Sequence, residues 1–107
     1  MDINIVLQKL EDNNYSQSSS LNIKDGKMCL SIHDFGENTP NGDEIEIWHN
    51  FDEENTRRFL ESFDLLGKSD VIIQKTLEER FGGRNSTWEF DQYIKKLHLT
   101  YKFSSWD

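Results

Sequence analysis

Leu21-Asn22-Ile23-Lys24-Asp25-Gly26-Lys27-Met28-Cys29-Leu30-Ser31-Ile32-His33 is the stretch whose pattern decides the fold. Leu21 and Ile23 alternate with polar residues before Asp25-Gly26. Met28, Leu30 and Ile32 alternate with Cys29, Ser31 and His33 after it. A period of two sends successive side chains to opposite faces of a strand. Asp-Gly between two such runs favours a tight hairpin turn. The stretch therefore predicts an antiparallel hairpin with one apolar and one polar face.

Downstream, Gly36 to Gly42 holds Asn38, Pro40 and Asn41 and reads as a surface loop. Asp43 to Phe51 alternates again, with Ile45 and Ile47 on one face and Glu44, Glu46 and Trp48 on the other, which predicts a third antiparallel strand. Asp52 suits a helix N-cap, and Glu53 and Glu54 fall in the first turn, where negative charge is stabilised. Phe59, Leu60, Phe63 and Leu66 form that helix's apolar stripe, and Gly67 ends it. Ser69 caps a second helix carrying Ile72, Ile73, Leu77 and Phe81, closed by Gly82-Gly83. Ser86-Thr87-Trp88-Glu89 has the form of a capping box ahead of Phe90, Tyr93, Ile94 and Leu97. From Leu97 the period becomes two through Leu99, Tyr101 and Phe103, predicting a closing strand.

Upstream, Tyr15 to Ser20 is polar and Ser-rich and reads as a loop. Ile3, Val6, Leu7 and Leu10 fall at i, i+3, i+4 and i+7, the spacing of a helical stripe that ends near Asp12-Asn13-Asn14. The expected fold class is α+β in a single domain over residues 1–107. Its order is α-β-β-β-α-α-α-β, with a four-stranded, mainly antiparallel sheet, helices packed on one face and the other face at least partly open. The last strand has two allowed positions, beside the first hairpin strand or beside the third strand.

Charge is distributed unevenly. The chain has 20 acidic and 12 basic side chains, a net charge of −8. Met28 to Thr56 contains no Lys or Arg and eight acids: Asp34, Glu37, Asp43, Glu44, Glu46, Asp52, Glu53 and Glu54. The remainder is balanced, so the whole imbalance lies in this quarter of the chain. Nucleic acid is disfavoured, because phosphate binding needs clustered Lys and Arg to displace counterions. Anionic membrane surfaces are disfavoured for the same reason, and no run approaches the ~20 apolar residues of a membrane span. Nothing resembles a signal peptide, and a cytoplasmic location is expected. The single cysteine, Cys29, allows no intramolecular disulfide.

The candidate binding residues are Asp34, Glu37, Asp43, Glu44, Glu46, Trp48, Asp52, Glu53 and Glu54. Asp52, Glu53 and Glu54 are also explained as an ordinary helix start. Trp48 among carboxylates suits an anchor for a protein partner, since Trp is enriched in interface hot spots. His33, His49 and Asp34 would offer a divalent-metal site if both histidines lie on the open face, but no HExxH or paired CxxC accompanies them. That leaves a metal-dependent enzyme or cation-binding module as the alternative reading. Catalytic chemistry has less support. Cys29 and His33 share a strand face about 13 Å apart by the strand rise, too far for a nucleophile and its base. Gly82-Gly83 follows a helix rather than a strand, and no motif implies a cofactor.

Size, acidity and α+β build together, with the Leu97 to Trp106 tail, resemble the small immunity proteins of bacterial toxin systems, including those paired with contact-dependent inhibition toxins. The resemblance implies a dedicated partner, a toxin domain that is often a cationic nuclease, neutralised in a tight complex. It carries no functional residue over position by position. Charge leads to a compatible expectation: a non-catalytic protein whose acidic face blocks a basic protein partner. A nucleic-acid mimic that inhibits a DNA-binding protein would use the same face.

Overall fold

The computed structural model describes residues 2–12, 15–36, 44–82 and 86–106. Four strands come first: β1 (Asp2–Asp12), β2 (Tyr15–Lys24), β3 (Lys27–Gly36) and β4 (Glu44–Asn50). Three helices follow, α1 (Glu53–Ser62), α2 (Asp70–Phe81) and α3 (Ser86–Lys96), and β5 (Lys102–Trp106) closes the chain. The five strands form one antiparallel sheet in the order β1-β2-β3-β4-β5.

The Asp25-Gly26 hairpin forms as the sequence predicts. Lys24 pairs with Lys27, and both turn residues have positive φ, 55° and 77°. Ile3, Ile5, Leu21, Ile23, Met28 and Leu30 are all buried on one face. Ile73, Leu77, Phe81, Phe90 and Ile94 of α2 and α3 cover them, together with Phe59 and Leu60 of α1. Phe59 is the hub among the helices. Its ring lies 5.3–6.2 Å from those of Phe63, Phe81, Phe90 and Tyr93.

The first element is a strand, not a helix. Ile3, Ile5 and Leu7 satisfy a period of two as well as Ile3, Leu7 and Leu10 satisfy a helical one, and pairing with β2 selects the former. Val6, which the helical stripe needs inside, is 67% exposed. The Ser-rich segment expected to be a loop is the first half of β2, held between β1 and β3. The order is therefore β-β-β-β-α-α-α-β with five strands.

A bulge lies at Leu7, because Val6 pairs with Ser20 while Gln8 pairs with Ser19. The Ser86 hydroxyl donates to the Leu7 carbonyl, so Ser86 ties α3 to the bulge instead of serving as the expected cap. Ser19 and Thr87 share a second hydroxyl contact at 2.6 Å.

Other boundaries shift. Helix α1 stops at Ser62, Asp64 takes φ 57°, and Leu65 is buried in place of the expected Leu66. Ile72 of the predicted α2 stripe is exposed. Ser69 caps α2 as expected, accepting from the Ile72 amide, and Gly82 closes it. The final strand starts at Lys102, not Leu97. His98 turns the chain at φ 56°, and the Leu99 amide returns to the Ile94 carbonyl at 3.1 Å. Strand β5 then pairs with β4, the second of its two allowed positions.

Candidate functional site

The strand residues that point away from the helices form the second face of the sheet. Asn4, Val6, Ser18, Ser20, Asn22, Lys27, Cys29, Ser31, His33, Glu46, Trp48, Asn50, Lys102 and Ser104 belong to it, and each is exposed or half-buried. The register arranges them in rows across the strands. Ser20, Ser31, Trp48 and Ser104 make one row. Ser18, His33, Glu46 and Trp106 occupy the next, and Asn22, Cys29, Asn50 and Lys102 the row on the hairpin side. Trp48 thus stands half-buried in a row of serines, with Glu46 two residues away on the same face.

The face is held by its own hydrogen bonds. Asn50 Nδ2 donates to the Lys102 carbonyl at 3.3 Å and to Ser104 Oγ at 3.1 Å, while Cys29 Sγ donates to Asn50 Oδ1 at 3.4 Å. These bonds lock the register of β3, β4 and β5. Burial pushes the Cys29 thiol above its ordinary pKa, against a smaller opposing effect from the Ser31 hydrogen bond. The protonated thiol is a donor here rather than a nucleophile.

The candidate residues divide into three groups. Glu46 and Trp48 share the uncovered face. Asp34 pairs with Ile45 and points to the helix side. Asp52, Glu53 and Glu54 lie at the start of α1, past the end of β4 at Asn50, which is itself four strand steps or about 13 Å from Glu46. Asp52 accepts from the Asn55 amide at 2.8 Å and from Asn55 Nδ2 at 2.9 Å, and these bonds hold its carboxyl below the usual carboxylate range. Glu44 is placed in β4 by its backbone pairing with Phe35. Glu37 and Asp43 lie outside the described residues.

His33 and His49 lie on opposite faces, since His33 pairs with Glu46 and His49 pairs with Leu30. The two-histidine metal site therefore has no common location. Among the described residues, no group of three or more His, Cys, Asp or Glu side chains is placed to hold a metal. His49 instead stacks on Tyr101, with ring centres 4.3 Å apart, and near Phe103. Burial lowers its pKa, partly opposed by Asp91.

One cleft of about 330 Å³ opens where the hairpin end of the sheet meets the start of α1, lined by Lys27, Asn50, Phe51, Asp52, Tyr101 and Lys102 among others. Ser31 falls on the polar face by alternation, but Ser16, Ser18 and Ser20 read as loop residues because their segment is polar and Ser-rich. The signal present was the polar set Ser16, Ser18, Ser20 and Asn22, which is in phase with the alternation of Leu21 and Ile23. Among the described residues, no helix is long and apolar enough to cross a membrane. The chain matches no protein-family model, no curated protein and no solved structure.

Proposed function

We propose that this chain is a non-catalytic binding protein that occludes a basic partner protein, with a toxin domain of the cationic nuclease kind as the partner class. The observation that carries this reading is the placement of Trp48 and Glu46 on a sheet face that none of the helices covers. Trp48 supplies a rigid apolar anchor of the kind enriched in interface hot spots, and the surrounding serines supply hydrogen-bonding groups. The acidic excess of Met28 to Thr56 supplies the long-range attraction. A nuclease centre is cationic because it holds phosphates, and complementary charge accelerates encounter.

The test is capture from native lysate at low and high salt, followed by assay of the captured protein's activity with and without this chain. The expected result is one stoichiometric basic protein, better retained at low salt and inhibited by the chain. Reversing Glu44 and Glu46 to Lys should slow association far more than it lowers Tm. Unchanged binding, or equal loss of fold, would overturn the reading.

A further inference from the structure

The two edges of the sheet are not equivalent. On β1 the ladder is broken at Leu7, and the carbonyl there is taken by Ser86. Asp2 N also donates to Asp70 of α2. A bulge and a helix contact of this kind protect an edge against strand addition. On β5 the ladder to β4 runs without interruption from Lys102 to Trp106, and the strand has no neighbour on its outer side among the described residues. Lys102, Phe103, Ser104 and Ser105 are all exposed. Phe103 is 61% exposed and Tyr101 39% exposed on the helix side, where the helices do not reach.

Charge on the uncovered face is polarised near the β5 edge, where Lys27 and Lys102 lie at the hairpin end and Glu46 toward the other; farther away on β1, Asp2 pairs with Lys24 and Lys9 lies in the row of Glu46. We propose that two copies of this chain join through antiparallel pairing of their β5 edges about a two-fold axis at Ser104, making one sheet that runs through both. This register overlaps the strand along its full length. Lys102 then stands opposite Trp106 of the second copy, and Phe103 opposite its Ser105.

Two consequences favour a second copy over an unrelated strand. The antiparallel arrangement sets Lys102 of each copy toward Glu46 of the other. The two fall in one row with Trp106 between them, two strand spacings or about 10 Å apart at Cα, near enough for opposite charges to attract. On the other face the two Phe103 residues become diagonal neighbours at about 7–8 Å, close enough for aromatic contact. The approach of Lys102 to Glu46 occurs twice and the Phe103 contact once, across the axis, and both act against the repulsion between two chains of charge −8. The two-fold closes the assembly, so no edge remains at β5 to propagate a fibre.

Sedimentation equilibrium of the full chain over a concentration series tests this, with hydrogen exchange of the β5 amides at the two ends of the series. The expected result is a monomer–dimer equilibrium with β5 amides protected only at high concentration. Phe103→Asp should abolish the dimer, and because Phe103 is exposed, the monomer should keep its Tm. Lys102→Glu and Glu46→Lys should each weaken dimerisation several-fold, and the double variant should recover it. A monomer at every soluble concentration would overturn the proposal, as would a dimer indifferent to Phe103→Asp. Additive losses in the double variant would overturn the register.

Discussion

The Met28 amide donates to Thr56 Oγ1 at 2.9 Å, and Thr56 Oγ1 donates in turn to the Asp52 carbonyl at 2.8 Å. The Met28 carbonyl accepts from the Phe51 amide at 2.8 Å. The start of β3 is thereby fixed to the first turn of α1, and the cap and the sheet form one unit. Thr56→Val removes the acceptor while keeping the shape, leaving the buried Met28 N–H unsatisfied. A loss of about 1–3 kcal/mol in urea denaturation is expected, with Thr56→Ser largely spared. Equal effects of the two substitutions would show that the hydroxyl contributes nothing.

Asn55 makes a matching connection at the other end of the chain. Its Oδ1 accepts from the Thr100 amide at 3.1 Å, and its Nδ2 reaches Asp52 Oδ1 and Thr100 Oγ1. Asn55→Ala should lower stability and raise hydrogen exchange in the run from Thr100 into β5. Uniform exchange changes throughout the chain would contradict this local role.

Phe59 joins all three helices, and no replacement smaller than an aromatic ring fills its site. Phe59→Ala is expected to cost about 3–5 kcal/mol, the range for a large core truncation. Phe59→Leu should cost clearly less. A loss below ~1 kcal/mol for the alanine variant would mean that the helices repack around the gap.

His49 gives the fold a mild acid sensitivity. Its folded pKa lies below the ordinary 6.5 because burial opposes the charged form. As pH falls below that value, the unfolded chain takes up a proton that the folded chain resists, so stability declines. Asp52 acts in a lower window: its folded pKa is held below 3.8 by the cap hydrogen bonds, and the stability it contributes above that value is lost as pH falls through the folded pKa. His49→Gln should flatten stability between pH ~7 and ~5.5 without changing the lower window. An unaltered slope in the variant would place the upper transition elsewhere.

Strong local signals were legible in the sequence. Asp25-Gly26, Asp52 and Ser69 specify their turns and caps by their own chemistry, so the hairpin and the starts of α1 and α2 follow directly. The Ile3 to Leu10 segment fits two periods, and only β2 as a neighbour decides between them. Tyr15 to Ser20 lacks strand propensity and becomes a strand because strands lie on both sides. For the site, alternation alone put Glu46 and Trp48 on one face. The same alternation puts His33 in phase with Cys29 and Ser31 and His49 in phase with Ile45 and Ile47, so the sequence pattern itself argued against a metal site shared by the two histidines.

The most direct measurement is the affinity of the captured partner for Trp48→Ala beside wild type, with urea denaturation of both chains. A binding face centred on Trp48 predicts a loss of about 2 kcal/mol or more in binding, well above the loss in folding stability. Unchanged affinity, or a binding loss matched by loss of fold, would show that the partner engages another surface.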